Sequence, residues 1–85
     1  MKTNKKFKSG DFVIFDKRII DEVRAYESGK EYAYSPDFLR NVLEYGIVRR
    51  ITGSLFFGDG FLYKISNCEF YIHEDSLCRF GVDMK

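Results

Sequence analysis

Tryptophan is absent from this chain of 85 residues, proline and histidine occur once each, and cysteine occurs twice. A single Pro and the lack of any repeat or biased stretch exclude a proline-rich linker or a low-complexity segment. Two Cys and one His are too few for the four protein ligands of a structural zinc site, so neither metal nor cofactor is expected. The N-terminus has charge but no apolar core, unlike a secretory signal, and no apolar run approaches the ~18 residues of a membrane span. The expectation is a cytoplasmic protein with Cys68 and Cys78 reduced; a disulfide between them is the alternative. Neither sign of charge dominates, the net value being +1, which argues against a molecule built wholly around nucleic acid.

Aromatic residues, by contrast, are plentiful: nine Phe and six Tyr. They suit half-buried pleated surfaces, and in a chain long enough for only one domain each contributes heavily to the core. Charge is unevenly spread. Residues 1–8 hold four Lys (Lys2, Lys5, Lys6, Lys8) and no acid, leaving ten basic and thirteen acidic groups in residues 9–85. Residues 1–8 therefore read as a basic arm, either a phosphate-seeking tail or a frayed solubilising end, and residues 9–85 as a single domain.

The domain opens on the turn Ser9-Gly10-Asp11, and Phe12-Val13-Ile14-Phe15 reads as a short buried strand. From Asp16 to Gly29, Ile19, Ile20, Val23 and Tyr26 fall at helical spacing between a capping Asp and a terminating Gly, yet the charge density also fits a surface loop. Ser35-Pro36-Asp37 is a helix start, and Phe38, Leu39, Val42 and Leu43 form its apolar stripe before Gly46, predicting a helix over about residues 36–44 with a left-handed glycine cap. Beyond it the pattern turns to strands: Ile47–Ile51, then Leu55–Phe57 after an interruption at Gly53-Ser54, then Phe61–Ile65 across the Gly58-Asp59-Gly60 reversal. Cys68–Ile72 reads as a further strand, His73–Ser76 as a 3₁₀ turn and Leu77–Phe80 as the last strand. Turn signals about every 6–12 residues indicate a small barrel or sandwich.

Gly10-Asp11-Phe12-Val13, Gly46–Ile51, Tyr63-Lys64-Ile65 and the ending Phe70-Tyr71-Ile72-His73-Glu74-Asp75-Ser76-Leu77 together resemble small SH3-like, KOW-like proteins of bacteria and their phages over residues 9–15 and 46–80. The resemblance implies a mainly β fold with a short helix, an SH3-like barrel of about five strands. Residues 16–45 would be a long, partly helical first loop. It implies no activity. A peptide-binding SH3 domain of the eukaryotic type would carry Ala-Leu-Tyr-Asp-Tyr and a ligand-facing Trp; Tyr32-Ala33-Tyr34 is a poor match and the Trp is missing, which disfavours proline-rich ligands.

Catalysis is not expected. The single His73 has Ser76 and Cys78 as its nearest nucleophiles, and neither spacing on a strand–turn–strand path suits a nucleophile–base pair. The reading is a binding module, a phage or bacterial protein-interaction or inhibitory accessory protein, with Tyr26, Tyr32, Tyr34, Arg49, Arg50, Phe56 and Phe57 as partner-binding candidates because exposed aromatics flanked by Arg compose interface hot spots. The alternative is nucleic-acid binding, with Lys2, Lys5, Lys6, Lys8, Arg49 and Arg50 on phosphates and Tyr63 or Tyr71 stacked on bases. Edge-strand pairing into a homodimer is a third reading.

Overall fold

The computed structural model describes residues 6–58 and 60–80. Along the chain run β1 (Phe12–Phe15), α1 (Lys17–Glu27), α2 (Pro36–Tyr45), β2 (Val48–Phe57), β3 (Gly60–Ile65), β4 (Tyr71–His73), a 3₁₀ turn (Glu74–Ser76) and β5 (Leu77–Arg79). The five strands make one antiparallel sheet in the order β4-β3-β2-β1-β5, so the protein is a small mixed α/β domain. The ladder is open: β4 and β5 are its two ends and do not pair with each other. Among the described residues no helix is long and apolar enough to cross a membrane.

The stretch from Asp16 to Gly29 is a helix rather than a loop. Asp16 caps it, its carboxylate accepting from the Ile19 amide, and the carboxylate also holds Arg18 at 2.7 Å. Ile19 and Val23 face the core while the charged side chains stay outside. The fold thus has two helices where one short helix was expected.

The second helix starts where the sequence places it, with Ser35 accepting from the Asp37 amide at 3.2 Å and Pro36 in the first turn. Phe38, Leu39 and Val42 are buried, but Leu43, the last member of the expected stripe, is 41% exposed. Gly46 ends the helix at φ 92° and ψ 173°, outside the left-handed helical well and in a region open essentially to glycine alone.

Leu55-Phe56-Phe57 is not a separate strand. It continues β2, and a register shift between Ile51 and Gly53 takes the place of the break expected at Gly53-Ser54. The first part of β2 pairs with β1 (Phe12 opposite Arg50) and the rest with β3 (Phe56 opposite Phe61), so one strand serves both halves of the sheet. The expected strand over residues 68–72 shrinks to Tyr71–His73: Asn67 adopts φ 58°, its carbonyl is held by the Asn41 side chain at 2.7 Å, and Cys68-Glu69-Phe70 remains irregular. Asp59, at the hairpin reversal, lies outside the described residues.

The core lies between the inner face of the sheet and the two helices, with Val13, Phe15, Ile51, Tyr63, Ile65, Ile72 and Leu77 meeting Ile19, Val23, Phe38, Leu39 and Val42.

Candidate protein-interaction surface

The loop between the helices is tied down by one carboxylate. Glu22 accepts from the amides of Ala33 (2.6 Å) and Tyr34 (3.1 Å), which turns the chain back over α1 and sets Tyr34 against Phe38 in a stacked pair at 6.0 Å. Phe38 in turn meets Phe15 at 5.7 Å and Phe70 at 5.8 Å, both edge to face. Between this aromatic row and β4 runs a groove of about 250 Å³ lined by Tyr34, Phe38, Phe70, Tyr71, Ile72 and His73. Consecutive residues of β4 point to opposite faces of a sheet, yet Tyr71, Ile72 and His73 all line the groove. The groove therefore follows the strand's free edge rather than either of its faces.

His73 sits in this groove with its Nδ1 accepting from the Asp75 amide at 3.1 Å, which caps the 3₁₀ turn. The Asp75 carboxylate lies 3.6 Å from the same nitrogen. The imidazole lone pair is therefore engaged with backbone, not with Ser76 or Cys78.

A second apolar surface lies at the β2–β3 hairpin. Leu55, Phe56 and Phe57 are 46%, 49% and 68% exposed, and Phe56 meets Phe61 edge to face at 5.1 Å. Phe57 opposite Gly60 and Leu55 opposite Leu62 present the other face of the same hairpin. Both faces of the hairpin are thus apolar.

The expected partner-binding residues fall in separate places. Tyr34 joins the groove. Tyr26 and Tyr32 form an edge-to-face pair at 5.2 Å, with the Tyr26 hydroxyl accepting from Arg40, so they brace the helices. Phe56 and Phe57 sit on the hairpin, and Arg50 lies on the outer sheet face with its guanidinium 5.8 Å from the exposed Phe12 ring.

Arg49 departs from both expected roles because it is buried, only 2% exposed. Its guanidinium donates to the carbonyls of Gly46 (2.9 Å), Ser66 (3.0 Å) and Asn41 (2.9 Å) and to the Asn41 side chain (2.8 Å), and it lies 5.4 Å from the Phe15 ring. Two of those carbonyls close α2, where a cation is favoured by the helix dipole. Burial holds this guanidinium below its ordinary pKa. It is a clamp, unavailable to phosphate or protein.

The nucleic-acid set is altered in the same way. Tyr63 is fully buried and cannot stack on a base, whereas Tyr71 is 50% exposed with Lys64 5.8 Å from its ring. Lys2 and Lys5 lie outside the described residues. Lys6 and Lys8 are exposed, but the supposed arm between them is anchored: Phe7 is 2% exposed and the amides of Lys6 and Phe7 both donate to the Tyr63 hydroxyl.

Phe70 was not among the expected site residues, and Tyr71 was expected only as a base-stacking residue. The signal for both was an adjacent pair of aromatics at the start of a short strand, 40% and 50% exposed in the structure. Compared with known proteins, the chain matches no family model, no curated protein and no solved structure.

Proposed function

We propose that this domain is a non-catalytic binding module of SH3-like type that acts in the cytoplasm by engaging another protein, as a phage or bacterial accessory or inhibitory factor would. The strand order β4-β3-β2-β1-β5 and the 3₁₀ turn between β4 and β5 support the SH3-like reading. The observation that carries the functional reading is the aromatic groove along the open edge of β4. Phe70 and Tyr71 stay 40% and 50% exposed there although the neighbouring core is closed, and exposed aromatics beside a concave, mainly apolar surface are what interface hot spots are made of.

A photo-cross-linking amino acid installed at Tyr71 tests this in living cells, with a control probe at Lys30. The expected result is a discrete adduct from the Tyr71 probe, digested by protease and lost when Phe70→Ala is added. An adduct removed by nuclease instead would establish the second reading, nucleic-acid binding, which the outer-face pairs Arg50–Phe12 and Lys64–Tyr71 favour. Equal labelling from both probes would overturn both readings.

A further inference from the structure

We infer that the groove at β4 receives an extended, lysine- or arginine-bearing segment of a partner protein, added as a sixth strand to the sheet. This rests on the protein-binding reading of the same groove and names the partner's chemistry.

Three observations converge on it. First, β4 pairs with β3 alone, through Leu62–His73, Tyr63–Ile72 and Lys64–Tyr71, so its other edge meets no strand among the described residues. An edge strand directs alternate backbone N–H and C=O groups outward, and the complement of such an edge is another extended chain. Second, the groove beside that edge offers apolar seats on both sides of the incoming strand: Ile72 and Phe38 on the inner side, Tyr71 on the outer. A helix, about 10 Å across, would have to leave the edge groups unpaired.

Third, the ends of β4 are acidic. Glu69 precedes the strand and Asp75 follows it, while the Glu74 carboxylate lies against Gly60 of β3, on the paired side of β4. Among the described residues no Lys or Arg forms a salt bridge with Glu69 or Asp75; the Asp75 carboxylate faces only the His73 Nδ1, at 3.6 Å. The neighbouring cations are already engaged: Arg18 with Asp16 and the Asp75 carbonyl, Arg40 with Asp37, and Lys64 over the Tyr71 ring. A strand laid along β4 would thus find carboxylates at both of its ends and apolar contacts between them. Cationic residues flanking an apolar centre complement that pattern, whereas a phosphate backbone or an acidic peptide would be repelled.

The test is an NMR titration of the full-length, ¹⁵N-labelled protein with a synthetic peptide of sequence Lys-Lys-Val-Thr-Val-Lys-Lys, blocked at both ends. Two comparison peptides carry Glu in place of every Lys, or N-methyl groups on alternate backbone amides. The expected result is saturable shifts at the amides of Tyr71, Ile72 and His73 with the Lys peptide. The N-methylated and the Glu peptides should each bind at least tenfold more weakly. The combined exposed-surface variant Glu69→Gln, Asp75→Asn should lose at least fivefold in affinity while the same amides shift. Equal binding of the Glu peptide, full binding of the N-methylated peptide, shifts centred on Leu55–Phe57, or no saturable shift would each overturn the inference. Such a failure alongside a protease-sensitive adduct at Tyr71 sinks the partner's chemistry alone; loss of that adduct sinks the protein-binding reading itself.

Discussion

Arg49 shows how a residue's role depends on what the chain brings to it. In the sequence it stands beside Arg50 in a strand, and the two look alike. The alternation of β2 sends Arg50 outward and Arg49 in, beneath the end of α2, where carbonyls from Gly46, Ser66 and Asn41 converge without a carboxylate. A planar fork of donors is the side chain that can meet several acceptors at once, which Lys cannot do. Arg49→Leu should therefore lower stability by about 3 kcal/mol, because the acceptors lose their donors while apolar volume is roughly kept. Arg49→Lys should recover only part of that. Urea denaturation followed by circular dichroism measures both, and a midpoint for Arg49→Leu equal to wild type would show that the clamp contributes nothing. The equivalent change at the exposed Arg50 should stay within about 0.5 kcal/mol.

At the scale of elements, β2 and β4 mark where the sequence was legible and where it was not. Strand character over residues 47–51 and 55–57 and the Ser35-Pro36 start of α2 were plain because those signals are local. Asp16–Gly29, in contrast, fitted a helix and a loop alike, and Gly46 does not form the left-handed cap expected of it. What a local pattern cannot show is that Gly53-Ser54 sits in a register shift rather than a turn, since that depends on β3 pairing across it. The same holds for Cys68–Phe70, where an alternating stretch is diverted by Asn67 and its bond to Asn41 on α2. The groove was illegible for a related reason: its walls come from residues 34–38 and 70–73, far apart in the chain. The aromatic character of the hairpin, however, was legible, and Phe56 and Phe57 are exposed on it. From Ile51 to Phe57 β2 carries no charge, and Leu55, Phe56 and Phe57 are exposed. An uncharged, exposed apolar patch of this kind promotes association between molecules. Wild-type protein should accordingly associate as its concentration rises, and Phe57→Lys should hold it monomeric in sedimentation velocity. Because Phe57 is 68% exposed, the same substitution should leave folding stability within about 0.5 kcal/mol. Association that persists unchanged in Phe57→Lys would place the contact elsewhere.

For the molecule as a whole, the open ladder raises the question of what holds its two ends over one core. Part of the answer precedes β1. The buried Tyr63 hydroxyl on β3 accepts from the amides of Lys6 and Phe7 at 2.9 and 3.0 Å, while Arg79 on β5 donates to the Lys6 carbonyl at 2.6 Å. Phe7 packs edge-on against Tyr63 at 5.2 Å and beneath the Arg79 guanidinium at 5.6 Å. A segment that reads in sequence as part of a solvated basic arm thus spans from one half of the sheet to the other, and its single aromatic residue is a core residue. The consequence is measurable. Phe7→Ala should cost about 3–4 kcal/mol, as removal of a buried Phe does, and lower the melting temperature by more than about 10 °C. Tyr63→Phe keeps the ring and removes only the acceptor for two amides, so its cost should be smaller, about 1–2 kcal/mol. Because both changes act on one contact, the double variant should fall short of the sum of the two. Thermal unfolding of the three variants followed by circular dichroism decides it: additive losses would mean that Phe7 and Tyr63 stabilise the fold independently, and a negligible loss for Phe7→Ala would return residues 6 and 7 to the solvated arm.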